Sequence, residues 1–350
     1  MFLSAKSKGF FVEQNDHTIV VARTSAMAGP LTIEEVRECP TGDAAALAEV
    51  VRTLQPKKTP SGYLNACCGI YPASRLVRRA TLELKRVKEP GYLGEVLTQQ
   101  FRVEPEKYTV HVLNATDGTD FDLNRATQKE TLFCGLPADD VAAIQDRLLE
   151  NGIYPERLEL GSVAMLGGLA DYLKFTKSKS PTLVLEIGAD MTHSFIVSGS
   201  GVEASRPIPQ GLESMIPVVQ KELGLKDEES AKKLFLSNTF DFTGMGPLLI
   251  KKLLKELQSS IGFYEVQTGM SVGQIVCTQL PSKLSWLENA IASALGIARL
   301  ELALVPWLQA RQITVSDSVA STGLEPRWLG LLGLMIQHNL SDAVAAQTKD

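Results

Sequence analysis

The sequence predicts an α/β fold made of two similar units, and three observations lead to this prediction. Short extended stretches rich in β-branched residues open the chain, and an apolar helix and a further strand follow them. The same order of strands and helices returns in the second half. A short polar stretch that ends in proline, residues 176–181, separates the halves. A repeated β-β-β-α order is typical of two α/β domains that face one another.

In the first half, periodicity and flanking turn residues predict three strands, a capped helix and a buried strand, at 9–12, 19–24, 31–36, 44–54 and 63–69. A smaller mixed unit follows. Its predicted elements are strands at 76–84, 108–114 and 130–135 and helices at 92–101, 138–151 and 162–173. Pro137 opens the helix at 138–151, and Asn151-Gly152 closes it.

In the second half, three strands with a Gly-Ser-Gly turn between the last two begin the repeat, at 183–188, 193–198 and 202–207. Helices are then predicted at 212–223, 227–235, 246–264, 285–295 and 328–339, with one strand at 274–278. The helix at 246–264 carries its leucines on a single stripe, as expected for a helix that packs on a core.

Composition and charge exclude several classes of function. Of the 350 residues, 44% are hydrophobic and 21% are charged, and the formal net charge is −5. No basic block is present to bind nucleic acid or anionic lipid. No apolar run approaches the roughly 20 residues that span a bilayer, and the first residues lack an apolar signal region. Any tie to a membrane is therefore expected to run through a partner protein.

The cysteines and histidines show neither catalytic nor metal-binding spacing. None of the five cysteines forms a C-x-x-C pair, and Cys67 and Cys68 would lie on opposite faces of a strand. The four histidines form no triad that the sequence reveals. We therefore expect buried thiols, no metal site and no catalytic residue.

Several short stretches carry a resemblance to one known family. They are LVRR at 76–79, GIYP at 152–155, LEIGA at 185–189 with Thr192, RPIPQG at 206–211, LGL at 223–225 with EESAK at 228–232, and Phe263-Tyr264. Each stretch is weakly specific, but their order and spacing cover nearly the whole chain. Together they resemble the PilM family of type IV pilus assembly proteins, which belongs to the actin-like FtsA/PilM superfamily.

The resemblance implies an actin-like, ribonuclease H-like fold of two domains with a small α+β insertion of the FtsA/PilM 1C type. It implies four parts. They are a first subdomain at 1–72 and 161–180, the insertion at 73–160, a second subdomain at 181–215 and 265–350, and a helical subdomain at 216–264. Residues 108–114 are expected in a sheet separate from the main one.

The resemblance also implies a nucleotide site, at which this sequence departs from the family pattern. Actin-like ATPases hold phosphates between two glycine-bearing turns, each with an acidic residue. In the first turn the family aspartate, glycine and lysine fall on Glu13, Asn15 and Val20.

In the second turn, Glu186 replaces aspartate, and Gly188 and Thr192 remain. At the adenosine turn, Gln279 and Leu280 replace two glycines and are expected to crowd the base. We therefore expect a degenerate site and no working ATPase. ATP and Mg²⁺ are the cofactors that the resemblance implies, and Glu13 and Glu186 could still hold Mg²⁺ through water.

By resemblance, the chain is expected to act as a scaffold of the inner-membrane pilus platform. It would lie in the cytoplasm and bind the short cytoplasmic tail of a PilN-like membrane protein. Such a tail would dock as an extended peptide, and the candidate strand carries Leu76, Val77, Arg78 and Arg79. For the two arginines, a solvated face and a partner contact both stay open. Other platform or motor proteins and a homo-oligomer are further expected partners.

Three alternatives compete with the scaffold. A GspL-like type II secretion component would continue into a membrane helix, whereas residues 343–350 are mainly small and polar. An FtsA-like protein would need an amphipathic membrane helix and an intact nucleotide site. An active actin-like ATPase or small-molecule kinase would need a catalytic aspartate in a substrate pocket, and no such motif stands out.

Overall fold

The computed structural model describes residues 8–55, 62–125 and 127–337. The chain divides into two compact units, the first comprising Met1–Phe175 and Ala303–Asp350 and the second Thr176–Leu302. The boundary after Phe175 coincides with the start of the polar stretch that the sequence predicts as a linker. Because each unit has its own sheet and core, the units are described separately below.

Fourteen strands and twelve helices make up the described part of the chain. In chain order the strands are β1 (Gly9–Gln14), β2 (Thr18–Thr24), β3 (Leu31–Pro40), β4 (Leu64–Ile70), β5 (Leu76–Thr81), β6 (Tyr108–Asn114), β7 (Glu130–Pro137), β8 (Ile153–Leu160), β9 (Thr182–Ile187), β10 (Thr192–Ser198), β11 (Gly201–Ile208), β12 (Gln274–Cys277), β13 (Ala298–Arg299) and β14 (Ile313–Val315). The helices are α1 (Ala44–Leu54), α2 (Tyr92–Val96), α3 (Ala138–Glu150), α4 (Gly161–Phe175), α5 (Ile216–Leu223), α6 (Glu228–Ser237), α7 (Gly246–Leu249), α8 (Lys251–Thr268), α9 (Trp286–Leu295), α10 (Leu304–Ala310), α11 (Asp317–Thr322) and α12 (329–337).

The main sheet of the first unit has six strands in the order β14-β3-β2-β1-β4-β8. β1, β2 and β3 are antiparallel, whereas β4 runs parallel to β1 and β8 parallel to β4. The helices α1 and α3 pack their apolar residues, among them Leu47, Leu54 and Ile144, against inward-facing strand residues such as Val21. The alternation of apolar and polar residues along these strands therefore indicates a sheet face that helices cover.

The sheet of the second unit repeats this plan in the order β11-β10-β9-β12-β13. Its first three strands are antiparallel, and β12 and β13 run parallel to β9. Position by position, this matches the order β3-β2-β1-β4-β8 of the first unit. The predicted internal duplication and the α/β fold class are thus confirmed at the level of strand order.

A separate three-stranded sheet, β5-β7-β6, lies between β4 and α3 in the chain. Its core forms around the fully buried Phe133, against which Leu76, Val96 and Phe101 pack. Phe101 belongs to a π-helical turn, Leu97–Phe101, that continues α2. The strand β6 lies in this sheet and not in the main one, as predicted. We call β5, β6, β7, α2 and the π-helical turn the insertion module.

The predicted insertion range, 73–160, is too long at its C-terminal end. β8 pairs in parallel with β4 in the main sheet, and Leu148 of α3 packs into the core of that sheet. The module therefore ends with β7, because α3 and β8 belong to the helical connection that a parallel strand pair requires. The helical subdomain at 216–264 stays a prediction.

The predicted assignment of 265–350 to the second subdomain is also wrong from Ala303 onward. The indole Nε1 of Trp307 on α10 donates to Asp171 on α4 at 2.8 Å, and Arg311 donates two hydrogen bonds to the same carboxylate at 2.7 and 2.8 Å. The strand β14 then adds to the edge of the main sheet beside β3. Trp307 is fully buried, so α10 is anchored to the first unit.

Two predicted helices are interrupted in the structure. Residues 246–264 form α7 and α8, separated by the fully buried Ile250, and α8 extends to Thr268. The predicted helix at 212–223 begins with a 3₁₀ turn, Leu212–Met215, before α5. Leucine periodicity does not distinguish these short departures from a continuous helix, because the side chains still reach one core. The predicted closing helix at 328–339 is described as far as residue 337.

All five cysteines are buried and free, as predicted. Burial raises the pKa of the Cys67 thiol to about 12 and that of Cys134 to about 12. A thiol with a pKa this high stays protonated at neutral pH and is a poor nucleophile or metal ligand.

Candidate functional site

The carboxylate of Glu13, at the end of β1, caps a helix of its own unit. Its Oε2 accepts a 2.5 Å hydrogen bond from the main-chain N–H of Leu331, in the first turn of α12. Glu13 is 2% exposed. A Cβ at Gly330 would lie 2.9 Å from Glu13 Oε1 and 2.2 Å from the hydroxyl of Tyr71. The helix terminus therefore sits directly on the carboxylate, where the helix dipole favours a negative charge.

Asn15 occupies the turn between β1 and β2, where the family pattern has glycine. Its side-chain Oδ1 accepts hydrogen bonds from the main-chain N–H groups of His17 and Thr18, each at 2.8 Å. This is an Asx turn, in which a side chain takes the donors that a bare loop would offer to a ligand. Val20, at the family lysine position, is buried in β2.

The second turn, between β9 and β10, is joined to the segment that follows β11. The N–H of Gly188 donates to the Met191 carbonyl at 2.9 Å, and the Gly188 carbonyl accepts from Leu212 at 3.0 Å. Thr192 Oγ1 donates to the carbonyl of Gln210 at 2.6 Å. A Cβ at Gly211 would lie 2.2 Å from the Ala189 carbonyl oxygen. The glycine that ends the RPIPQG stretch is thus required by a close backbone approach.

Glu186, the acidic residue of the second turn, is fully buried in β9. It lies directly opposite His193 of β10, which is 4% exposed. Directly opposed residues of antiparallel strands project from the same face, so the two side chains are neighbours. The strand pairing therefore joins a carboxylate and an imidazole that the sequence analysis treated separately.

Gln279 and Leu280 follow β12, and both are buried. Leu280 packs with Leu284 and Leu287 in the core of the second unit. Glu288 of α9 supports this turn by accepting a 2.8 Å hydrogen bond from the Cys277 N–H. Leu280 is thus a core residue, and crowding of an adenosine by Gln279 stays a prediction.

Over residues 8–55, 62–125 and 127–337, no group of three or more His, Cys, Asp or Glu side chains is arranged to hold a metal ion. Within the same ranges, no helix is long and apolar enough to cross a membrane.

The candidate peptide-binding residues lie on β5, an outer strand of the insertion module's sheet. Leu76 and Val77 are buried, at 6% and 1% exposure, and Leu76 belongs to the module core. The Arg78 guanidinium lies 4.9 Å from the centre of the Phe101 ring, and Arg79 forms an ion pair with Glu130 of β7. A partner would therefore contact β5 through the main-chain edge of the strand and through its two half-buried arginines.

Sequence reasoning missed the role of Leu331 and its neighbours in holding Glu13. One signal was available: Gly330 and Gly333 are two glycines three residues apart in an otherwise apolar helix. A Cβ at Gly333 would lie 2.1 Å from the Ala164 carbonyl of α4, and Gly168 of α4 lies opposite it. The Gly167-Gly168 pair is thus part of a close helix crossing.

The two duplicated sheets and the insertion module define an actin-like α/β fold with an extra small domain. A solved structure described as the PilM-PilN type IV pilus biogenesis complex is similar to this chain, with a TM-score of 0.68 and 18% sequence identity. The alignment covers 95% of this chain and 99% of that one. The fold is therefore that of PilM, as the sequence resemblance predicted.

Weaker structural likenesses add nothing to this argument. The ethanolamine utilization protein EutJ from Carboxydothermus hydrogenoformans has a TM-score of 0.46 and 10% identity, covering 96% of this chain and 91% of its own. A protein of actin-like ATPase fold from Bacteroides thetaiotaomicron has a TM-score of 0.42 and 10% identity, covering 86% and 93%. No family model matches the sequence. No curated protein matches it either.

Proposed function

We propose that this chain is a PilM-like scaffold of a type IV pilus inner-membrane platform. In this role it binds the short N-terminal cytoplasmic tail of a PilN-like membrane protein and hydrolyses no ATP. The observation that carries the proposal is the position of β5 as an outer strand of the insertion module. The chain that contains this module is similar in fold to a protein solved in a PilM-PilN complex. The sequence stretches that resemble PilM support it independently.

The tail would add to β5 as a further strand. An outer strand presents main-chain donors and acceptors along one edge, and an extended peptide can pair with them. Since Leu76 and Val77 are buried, their side chains hold the strand in place and the main chain makes the contacts. Arg78 and Arg79 would flank the peptide and donate to its carbonyl groups.

The nucleotide site is proposed to be degenerate because its first turn is occupied by the protein's own groups. Glu13 is committed to the N-terminus of α12, and Asn15 takes the N–H groups of His17 and Thr18. These are the groups that would otherwise orient Mg²⁺ and hold phosphate. The residues of this turn therefore do not fit Mg-ATP, and no catalytic step is assigned to them.

Calorimetry with a synthetic N-terminal cytoplasmic tail of a PilN-like membrane protein tests the proposal. We expect an affinity on the order of micromolar, because a short peptide loses backbone freedom when it becomes ordered. A basic tail would bind more weakly as salt rises, since the protein carries a net charge of −5. Absence of binding at low salt would refute the scaffold function in this form.

Tails methylated at single main-chain nitrogens test the mode of binding. Alternate residues of an added strand direct their N–H groups toward the edge strand. Methylation at one set of alternate positions should therefore weaken binding by about tenfold or more, since each lost hydrogen bond costs about 1–3 kcal/mol. Methylation at the other set is the matched control. Equal effects of the two sets would exclude strand addition.

A further inference from the structure

The helix α8 carries an exposed face that no other described residue covers. Its opposite face is fixed in the core of the second unit by Leu253, Leu257 and Tyr264. On the outer face, Phe263 is 65% exposed and Val266 is 87% exposed, the highest values among the large hydrophobic residues of the described ranges. Two such residues one turn apart form a concentrated apolar surface.

This outer face has a regular spacing along the helix. We define the α8 stripe by six residues whose successive separations are three, four, three, one and three positions: Lys252, Lys255, Ser259, Gly262, Phe263 and Val266. Lys252, Ser259 and Val266 are seven residues apart, two turns each, so they lie on one face of the helix.

The middle of the stripe is open to close approach. A Cβ at Gly262 would meet no atom within 4 Å, so packing inside this chain gives no reason for glycine there. Glycine within a helix is destabilising relative to alanine. Ser259 is the other small residue, one turn before Gly262. Together they leave a shallow gap in which a large side chain of another helix fits.

The charges at the N-terminal end are unfavourable within this chain. The first turn of α8 has no acidic residue and begins with Lys251 and Lys252, followed by Lys255. Positive charges at a helix N-terminus oppose the helix dipole. In the described residues no salt bridge forms to any of these three lysines. An occupant with acidic residues at this end would neutralise them.

We propose that the α8 stripe binds an amphipathic helix of another protein, acidic at one end and apolar at the other. The acidic end would face Lys252 and Lys255, and the apolar end would face Phe263 and Val266, whose midpoint is about 16 Å from that of the lysines along the helix axis. A large apolar residue between them would fill the gap at Gly262. The proposal does not depend on the proposed tail binding, since it concerns the second unit alone.

Charge complementarity favours this occupant over a second copy that pairs through the same face. The stripe itself holds no carboxylate. A parallel copy would place lysines against lysines, and an antiparallel copy would place them against the apolar end. Glu256, which borders the stripe, already pairs with Arg206. Self-pairing therefore leaves the lysines uncompensated.

A bilayer surface fits less well than a protein helix. Helices that lie in a membrane interface separate apolar and basic residues around the circumference, along the whole length. In α8 the two kinds are separated along the axis, with lysines at one end and Phe263 and Val266 at the other. Only one end could enter the apolar layer.

Three synthetic peptides that match the 18 residues of α8 in length test the proposal on the full chain. All have the same composition of leucine, alanine and glutamate. Two confine the glutamates to the N-terminal or the C-terminal third, and the third interleaves them. We expect one segregated peptide to bind at least about tenfold more tightly than the interleaved one, because only it matches both ends. Equal binding by all three, or no binding, overturns the proposal.

Matched variants locate the binding surface. Phe263→Asp, or Lys252→Glu with Lys255→Glu, should each weaken binding of the segregated peptide by about tenfold. The controls are Leu123→Asp, which replaces an exposed apolar residue between β6 and β7, and Lys221→Glu with Lys226→Glu. They should leave binding unchanged, and an equal loss in the controls overturns the proposal. Two other outcomes would also overturn the proposal. One is that the protein sediments with phosphatidylglycerol and phosphatidylethanolamine vesicles in a way that depends on Phe263. The other is that the protein self-associates in a way that depends on Phe263.

Discussion

Glu13 and Leu331 lie 318 residues apart in the sequence, and the carboxylate of the first accepts a 2.5 Å hydrogen bond from the main-chain N–H of the second. The contact joins the first strand of the chain to a helix near its end. The family pattern assigns the position of Glu13 to Mg²⁺, but here the hydrogen bond gives Glu13 a role in stabilising the fold. The contribution of Glu13 to stability can therefore be measured without any ligand.

Glu13→Ala should lower the free energy of unfolding by about 1–3 kcal/mol, because it leaves a buried N–H without its acceptor. Glu13→Gln keeps an acceptor but removes the charge at the helix terminus, so its loss should be smaller. Urea unfolding followed by circular dichroism measures both. Glu222→Ala, at an exposed position of α5, is the control, and a loss at Glu13 no larger than at Glu222 would contradict the capping role.

Millimolar Mg-ATP should raise the melting temperature by less than about 1 °C. A ligand at one hundred times its dissociation constant stabilises by about 2.7 kcal/mol, which corresponds to several degrees in a protein of this size. Asn15 and Glu13 occupy the first turn, so that stabilisation should be absent. Differential scanning fluorimetry with and without Mg-ATP measures it, and a shift of several degrees would reverse the assignment of a degenerate site.

Asp171→Ala should cost about 1–3 kcal/mol, because the substitution removes the acceptor of the buried Trp307 indole and of Arg311. Asp171→Asn can still accept from one of them and should cost less. Equilibrium urea unfolding monitored by tryptophan fluorescence reports on the surroundings of Trp307. Asp146→Ala, on the exposed side of α3, should be nearly neutral. If Asp171→Ala is equally neutral, α10 is held by other contacts.

Glu159 should make stability depend on pH in a defined direction. Burial raises the pKa of its carboxyl above the usual value of 4.5, and Arg157 opposes that shift. A raised folded-state pKa contributes stability below pH 4.5 that is lost as pH rises through the folded-state pKa. The unfolding free energy of the native protein minus that of Glu159→Gln should therefore fall between pH 4 and pH 7. A difference that is constant or rises with pH would show that the pair with Arg157 dominates.

Gly262→Ala should raise the free energy of unfolding by roughly 0.5–1 kcal/mol, since a methyl group fits the open space and reduces backbone freedom. Gly224→Ala is the matched control. Its Cβ would also meet no atom, but its φ of +61° is unfavourable for alanine. Opposite signs for the two variants in thermal unfolding are expected. Destabilisation at Gly262 would mean that α8 needs glycine for its own packing.

Much of the fold follows from sequence periodicity. The strands at β1 to β4 and β9 to β12, the helices α1, α3 and α4, and the boundary after Phe175 all lie within a few residues of their predicted positions. These elements have strong alternation or a clear apolar stripe, and glycine, proline or polar residues end them. Local chemistry and burial then specify the same element.

The candidate site was less predictable. The sequence identified Glu13, Asn15 and Glu186 as departures from a phosphate-binding pattern, which needs only residue type and order. It did not reveal that Asn15 closes its own turn or that Leu280 joins the core. Those outcomes depend on where each side chain points, and residue type alone leaves several directions open.

The sequence by itself determined the two repeated α/β units and the burial of the cysteines, because both depend on the pattern of neighbouring residues. The separate sheet that contains Tyr108–Asn114 followed from the resemblance to the PilM family. Only the tertiary structure decided that Ala303 onward belongs to the first unit, that α3 packs on the main sheet and β8 joins it, and that Glu13 caps α12. These contacts join residues far apart in the chain, and their energy comes from packing and hydrogen bonds that form only once the chain has folded.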